Sequence, residues 1–295
     1  MSTGRVVRAI AGFFYVEPLD APMAPIECSI RGKLKLKAET ISVGDRVVFA
    51  VENGKGVITG VLARENLLKR PYIANVDLIV LVFAFKDPDP NEFLITKFLI
   101  LAEQTGIPYL LVFNKADLAT PEEAGQVVAI YRECGYRVFA TSVLKNQGKA
   151  ELLEIFRGKT AVLAGPSGVG KSALLNLLAP GFRLQTGDVS RKIGRGRHTT
   201  REVQLLRINE HSYVADTPGF TQIALDGIDP ANFKLLFPDF SDWEPNCRFN
   251  GCLHQTEPDC GIKQAVAEGK ISVSRYQTYL TILAEITENW KNRYR

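Results

Sequence analysis

The chain has 295 residues, 46% hydrophobic and 23% charged, with 36 Lys+Arg against 32 Asp+Glu. That length allows two or three domains and a sizeable core, and the composition excludes disordered, collagen-like and coiled-coil chains. The apolar run from Leu78 to Phe85 is eight residues long, far short of the ~20 that span a bilayer. Arg5 and Arg8 are followed by Glu17 and two prolines rather than a signal-like apolar segment, so a soluble cytoplasmic protein without membrane attachment is expected.

The net charge of +4 is unevenly spread. Residues 1–75 hold 11 basic and 7 acidic side chains, residues 76–225 hold 17 and 15, and residues 226–295 hold 8 and 10.

Residues 1–65 read as short strands over Gly4–Ile10, Phe13–Val16, Ile26–Ile30, Asp45–Val51 and Gly56–Leu62, punctuated by Gly, Pro and Asn. About five strands in so short a stretch predict a small closed barrel, with an OB-fold as the natural candidate. Its basic excess, including Arg31, Lys33, Lys35 and Lys37, suits an RNA-facing surface. A barrel that simply packs on its neighbour fits the composition equally well.

From Val76 the pattern changes. Strands Leu78–Phe85, Tyr109–Phe113, Arg137–Thr141, Thr160–Ala164 and Tyr213–Ala215 alternate with helical stretches Asn91–Thr105, Pro121–Cys134 and Ala173–Leu178. Such alternation predicts a parallel sheet wrapped on both faces. After residue 225 the chain is rich in proline and cysteine, then helical from Ile262 to Trp290. The expected division is a barrel over 1–68, an α/β domain over 69–225 and a metal-stapled helical domain over 226–295.

Gly165-Pro166-Ser167-Gly168-Val169-Gly170-Lys171-Ser172 fits the P-loop pattern G-x-x-x-x-G-K-S between a strand and a helix that Ala173 opens. Its backbone N–H groups and the helix N-terminus would cradle phosphates, Lys171 would reach the β- and γ-phosphates, and Ser172 would hold Mg²⁺. This loop alone leaves ATP and GTP open.

Asn114-Lys115-Ala116-Asp117 ends strand Tyr109–Phe113 and resembles the N-K-x-D guanine motif of GTPases. Asp117 can accept from guanine N1–H and N2–H₂, a donor pair that adenine lacks, so an adenine nucleotide would leave it unpaired. Thr141-Ser142-Val143 resembles the motif that supports guanine, with Ser142 and Val143 as its core. Asp216-Thr217-Pro218-Gly219 resembles switch II, Asp216 reaching Mg²⁺ through water and the Gly219 N–H sensing the γ-phosphate. Arg197-His198-Thr199-Thr200 lies where a switch I threonine is expected, Thr200 being preferred over Thr199 as a Mg²⁺ ligand.

Ordinary GTPases run from P-loop through the two switches to N-K-x-D. Here N-K-x-D and Ser142-Val143 come first, so the domain reads as circularly permuted.

Cys247-x₄-Cys252-x-His254-x₅-Cys260 offers three thiolates and one imidazole, a structural zinc set whose four ligands leave no position for catalysis. The alternative is three reduced cysteines beside an unrelated histidine. His211 is expected to be exposed in a hairpin turn, and Cys28 and Cys134 to be small buried hydrophobes.

A barrel, a permuted GTPase domain and a Cys/His C-terminal domain together resemble the small ribosomal subunit biogenesis GTPases, the circularly permuted, small-subunit-dependent GTPases of bacteria. The resemblance covers nearly the whole chain. It implies Mg²⁺-dependent GTP hydrolysis to GDP stimulated by the small ribosomal subunit, a role in late maturation of that subunit, contact with rRNA and ribosomal proteins, and one zinc ion. An enzyme acting as a monomer is the expectation. A nucleotide-regulated rRNA-binding module with little turnover is the alternative.

Phe220 follows the switch II glycine, where Ras-type GTPases carry the glutamine that orients water. His198 is therefore the candidate to orient water once a partner orders its loop, alongside Thr200 and Gly219. A partner-contacting histidine is the alternative. Five basic residues and no acid in 190–201 (Arg191, Lys192, Arg195, Arg197 and Arg201) favour contact with phosphate, nucleotide or rRNA.

Overall fold

The computed structural model describes residues 1–20, 24–30, 41–52, 54–69, 71–179, 203–216, 225 and 227–292, with the backbone alone for Asp216. The basic positions Arg31, Lys33, Lys35 and Lys37, all of 190–201, and Phe220 lie outside the described residues.

Five strands form the N-terminal unit: β1 (Ser2–Ile10), β2 (Phe13–Pro18), β3 (Ile26–Ile30), β4 (Arg46–Glu52) and β5 (Lys55–Val61). Period-2 alternation turns Val6, Phe14, Val16, Cys28, Val47, Phe49 and Ile58 into a shared interior. The order β1-β2-β3-β5-β4 closes through β1–β4 pairing, and β3 and β5 run parallel. This is the OB-fold barrel. A two-stranded hairpin follows, β6 (Leu67–Lys69) with β7 (Tyr72–Ala74); strands of three residues leave no periodicity to read.

The second sheet holds β8 (Leu78–Ala84), β9 (Tyr109–Asn114), β10 (Val138–Ala140), β11 (Thr160–Ala164), β12 (Gln204–Asn209) and β13 (Ser212–Asp216). Their order is β10-β9-β8-β11-β13-β12, parallel except for the β12–β13 hairpin. Helices α1 (Glu92–Thr105), α2 (Pro121–Glu133), α3 (Lys149–Ile155) and α4 (Lys171–Leu178) cover it. Every residue of β8 is buried because both faces are wrapped. Ile79, Leu81 and Phe83 pack with α1 and α2, while Leu78, Val80 and Val82 pack with α3 and α4. Each such side chain contributes about 1.5–3 kcal/mol by leaving water.

Caps set the helix ends. Asn91 accepts from the Leu94 N–H at 2.9 Å, and Thr120 and Glu123 form a reciprocal capping box ahead of Pro121. α4 starts at Lys171, two residues before the expected Ala173, because Gly170 takes the N-cap position.

The barrel is continuous with this sheet. β1 pairs antiparallel with β12, Arg8 opposite Gln204, so the two units share one eleven-stranded sheet. Periodicity cannot show which strand edges of two units meet.

The C-terminal region has three 3₁₀ turns (Pro230–Leu236, Pro238–Phe240, Glu244–Asn246), then α5 (Gly261–Ala267) and α6 (Val273–Asn292). Phe233, Phe237, Phe240 and Tyr279 form its aromatic centre, with the Phe233 and Tyr279 rings stacked at 5.2 Å. α1 lies between the layers: Ile95, Phe98 and Leu99 face the sheet, while Phe93, Ile100 and Leu101 face the C-terminal core. That explains a helix apolar on nearly every side.

Buried Arg275 of α6 ties these layers together. It donates to both Asp239 carboxylate oxygens at 3.0 and 2.9 Å, to Thr96 Oγ1 at 3.0 Å and to the Tyr136 hydroxyl at 2.7 Å. Among the described residues no helix is long and apolar enough to cross a membrane.

Candidate functional site

The parallel strands deliver their C-terminal ends to one edge of the sheet, where loops of an α/β fold bind ligands. β9 ends in Asn114, β10 leads to Thr141 and β11 leads to Gly165. β11 and β13 are parallel neighbours with Val162 opposite Ala215, which brings the backbone of Asp216 to the same edge.

Gly165 has φ of 141°, and a Cβ there would sit 2.1 Å from the Val82 carbonyl oxygen. Only glycine lets the chain leave β11 this close to β8. Gly170 has φ of 93°, and a Cβ would meet Asn114 Nδ2 at 2.4 Å.

That approach serves a hydrogen bond. Asn114 Nδ2 donates to the Val169 carbonyl at 3.0 Å, and its Oδ1 accepts from Thr141 Oγ1 at 3.2 Å. One buried amide thus joins three loops from three strands. The Ser142 hydroxyl donates to the Asp117 carboxylate and accepts from the Lys145 N–H at 3.2 Å, so the Asp117 side chain is held in place from the second loop. Val143 packs partly buried against the core on the α3 and α4 side.

Lys171 Nζ donates to the carbonyls of Gly165 and Pro166 at 2.7 and 2.5 Å. Burial pulls its pKa down to about 8. Ser167, Gly168 and Ser172 are exposed beside it. An open rim of N–H groups with one desolvated ammonium is the arrangement that takes a polyphosphate.

Residues 86–89 carry no motif in the sequence, yet they border the site. Lys115 Nζ donates to the Asp87 carbonyl, and Pro88 lies 3.6 Å from where a Gly168 Cβ would stand. The readable signal is the Asp-Pro pair that follows β8 at the ligand-binding edge. His198, Thr199, Thr200 and Gly219 lie outside the described residues, as do Thr217 and Pro218.

The second cluster is Cys247, Cys252, His254 and Cys260, whose ligand atoms all lie within 4.8 Å of one another. His254 Nδ1 is 3.5 Å from Cys247 Sγ and 3.4 Å from Cys260 Sγ, and those two sulfurs are 3.9 Å apart. A tetrahedron with Zn–S near 2.3 Å and Zn–N near 2.0–2.1 Å has S···S edges of about 3.8 Å and S···N edges of about 3.6 Å. The four residues therefore fit one zinc ion, with Nδ1 as the imidazole donor. Burial, with Lys234 nearby, lowers the His254 pKa, a shift toward the neutral ring that a metal ligand needs. Tyr276 and Tyr279 donate to the carbonyls of His254 and Leu253, at 2.5 and 2.9 Å, fixing the loop to α6. His211 is exposed in its turn, Cys28 is buried, and Cys134 is half-buried against the sheet core.

The RsgA GTPase family model matches residues 61–226, and the RsgA N-terminal domain model matches residues 3–58. The chain belongs to the RsgA GTPase family. It is a GTP hydrolase of the circularly permuted kind. The small ribosomal subunit biogenesis GTPase RsgA of Caldanaerobacter subterraneus subsp. tengcongensis is 43% identical over 293 residues, covering 99% of this chain and 98% of that protein. The crystal structure of YjeQ from Thermotoga maritima superposes with a TM-score of 0.83 at 38% identity, over 97% of this chain and 98% of that one. YloQ, described as a circularly permuted GTPase, gives 0.81 at 33% identity, over 98% and 96% of the two chains. The RsgA likeness thus runs the length of the chain, barrel and Cys/His region included.

Proposed function

We propose that this chain is a Mg²⁺-dependent GTPase stimulated by the small ribosomal subunit and acting in late maturation of that subunit. Its GTP form binds the subunit and hydrolysis to GDP releases it. The observation that carries the nucleotide half is the Asn114 amide, which joins the P-loop to the N-K-x-D and Thr141 loops despite their inverted order. The subunit half rests on the full-length similarity to proteins named for small-subunit biogenesis.

The P-loop from Gly165 to Ser172, with Ala173, binds the phosphates, and Lys171 turns from its carbonyl partners to the β- and γ-phosphates. Asp117 reads the guanine edge, braced by Ser142, while Asn114, Lys115 and Val143 complete the base site. Ser172, Thr200 and Asp216 would hold Mg²⁺, which would neutralise charge on the phosphate oxygens. Gly219 senses the γ-phosphate and His198 orients the attacking water. Zinc on Cys247, Cys252, His254 and Cys260 is structural: with four protein ligands it has no position for substrate.

The barrel over 1–68, the basic stretch 190–201 of the 69–225 GTPase core and the zinc region over 226–295 contact the subunit, the first two through rRNA phosphate and the zinc region by shape or through ribosomal protein. The protein works as a cytoplasmic monomer. Comparing GTP turnover with and without small subunits tests this; turnover that the bound subunit does not stimulate leaves only a nucleotide-regulated binding module.

A further inference from the structure

The hairpin β12–β13 joins the two stretches in which the sequence places the switches: β12 begins just after residue 202, and β13 ends at Asp216. Arg8 of the barrel, Gln204 of β12 and Asp216 of β13 form one rung across three strands. The barrel is thus hydrogen-bonded to the switch end of the hairpin.

At the other end of these strands the barrel inserts two buried charged side chains. Arg5 and Glu17 are cross-strand partners on β1 and β2, 7% and 4% exposed. The Arg5 guanidinium donates to Thr160 Oγ1, at the start of β11, and lies 4.9 Å over the Tyr213 ring at the start of β13. Glu17 accepts from Arg207 of β12 at 2.7 Å. Two barrel residues therefore grip all three strands that bear the P-loop and the switches, at the ends remote from the nucleotide.

Stability alone does not call for this arrangement. Burying charges costs several kcal/mol each before pairing, and apolar residues of equal volume do as well or better. What the directional contacts add, the Glu17–Arg207 ion pair and the Arg5 guanidinium on Thr160 and the Tyr213 ring, is one fixed register. Strands are stiff, and Thr160 lies only about 17 Å from Gly165 along β11, so tilting the barrel shifts the strand ends on the nucleotide side.

We propose that Arg5 and Glu17 are positioning residues for partner-stimulated hydrolysis only: they weld the barrel to the β12–β13 hairpin, so that a partner bound to the barrel acts on the strand ends that lead to the switches, while basal turnover does not depend on them. This rests on the reading above that the small subunit stimulates turnover.

The test uses the full chain and the variants Glu17→Gln and Arg5→Met. Expected are basal GTP turnover and small-subunit binding like wild type, with subunit-stimulated turnover lowered at least about fivefold. A folded, subunit-binding Glu17→Gln protein with full stimulation overturns the proposal. Hydrogen exchange supplies a second arm that needs no subunit. In the wild type, β1 and β2 amides should exchange differently with GDP and with a non-hydrolysable GTP analogue, and Glu17→Gln should abolish that difference. Identical wild-type exchange in the two states overturns the proposal even if both variants misfold. Absence of stimulation in the wild type defeats the functional reading instead and leaves the exchange result to decide this one.

Discussion

Asn114 Nδ2 donates to the Val169 carbonyl at 3.0 Å, across 55 residues of sequence and against the usual motif order. The bond depends on which strand tips are neighbours, not on the order of the motifs along the chain. Domains tolerate rejoined chain ends when core contacts are kept.

Asn114→Ala leaves the Val169 carbonyl and the Thr141 hydroxyl without their partner in a buried setting. A stranded buried polar group costs about 1–3 kcal/mol. GTP and GDP binding should therefore both weaken by roughly 10- to 100-fold, measured by calorimetric titration. Equal affinities in variant and wild type would show that the loop junction is not needed for the site.

Lys171 makes binding pH-dependent. Its pKa of about 8 reflects burial without a counter-charge, and a bound polyphosphate raises it again. Below pH 8 the ammonium is charged in both states, so affinity is flat. Above pH 8 binding must take up a proton, and GTP affinity should fall by about tenfold per pH unit. Titrations at pH 7 and 9 in buffers of different ionisation enthalpy should show proton uptake only at pH 9.

Arg275 sits at the junction of three layers, and its side chain and that of Asp239 are 5% and 8% exposed. Arg275→Met strands the Asp239 carboxylate and should cost about 3–5 kcal/mol in urea unfolding. Removing both charges with Arg275→Met and Asp239→Leu should recover much of that loss. A single variant as stable as wild type would mean that the pair carries no linkage between α6 and the GTPase layer.

Zinc removal should act on the C-terminal core and spare nucleotide binding. A purified sample should release about one equivalent of zinc to a chelator. Loss of the ion frees Cys247, Cys252, His254 and Cys260 while the Asn114 network stays intact. The expected readout is a lower melting temperature with GDP affinity unchanged.

Motifs fixed by backbone chemistry were legible in the sequence. The glycines of 165–170, the Asn114-to-Asp117 loop and the Cys247-to-Cys260 spacing each follow from what a phosphate, a purine edge or a metal needs locally. The barrel strands were legible because one face is buried and period 2 survives; β6 and β7 were too short for that. Arg5, Glu17, Arg275 and Asp239 were not legible at all. Each looks like an ordinary surface charge until the fold brings a partner from more than 30 residues away, here Thr160, Arg207, Thr96 or Tyr136. Pairing between β1 and β12 belongs to the same class: strand content is local, but the choice of neighbour is not.

The central claim, a GTPase under control of the small subunit, is tested most directly by measuring GTP turnover while isolated small and large ribosomal subunits are titrated in. The account predicts a saturable rise of roughly 10³-fold or more with small subunits and none with large ones. A flat response to small subunits, or an equal response to both, would contradict it.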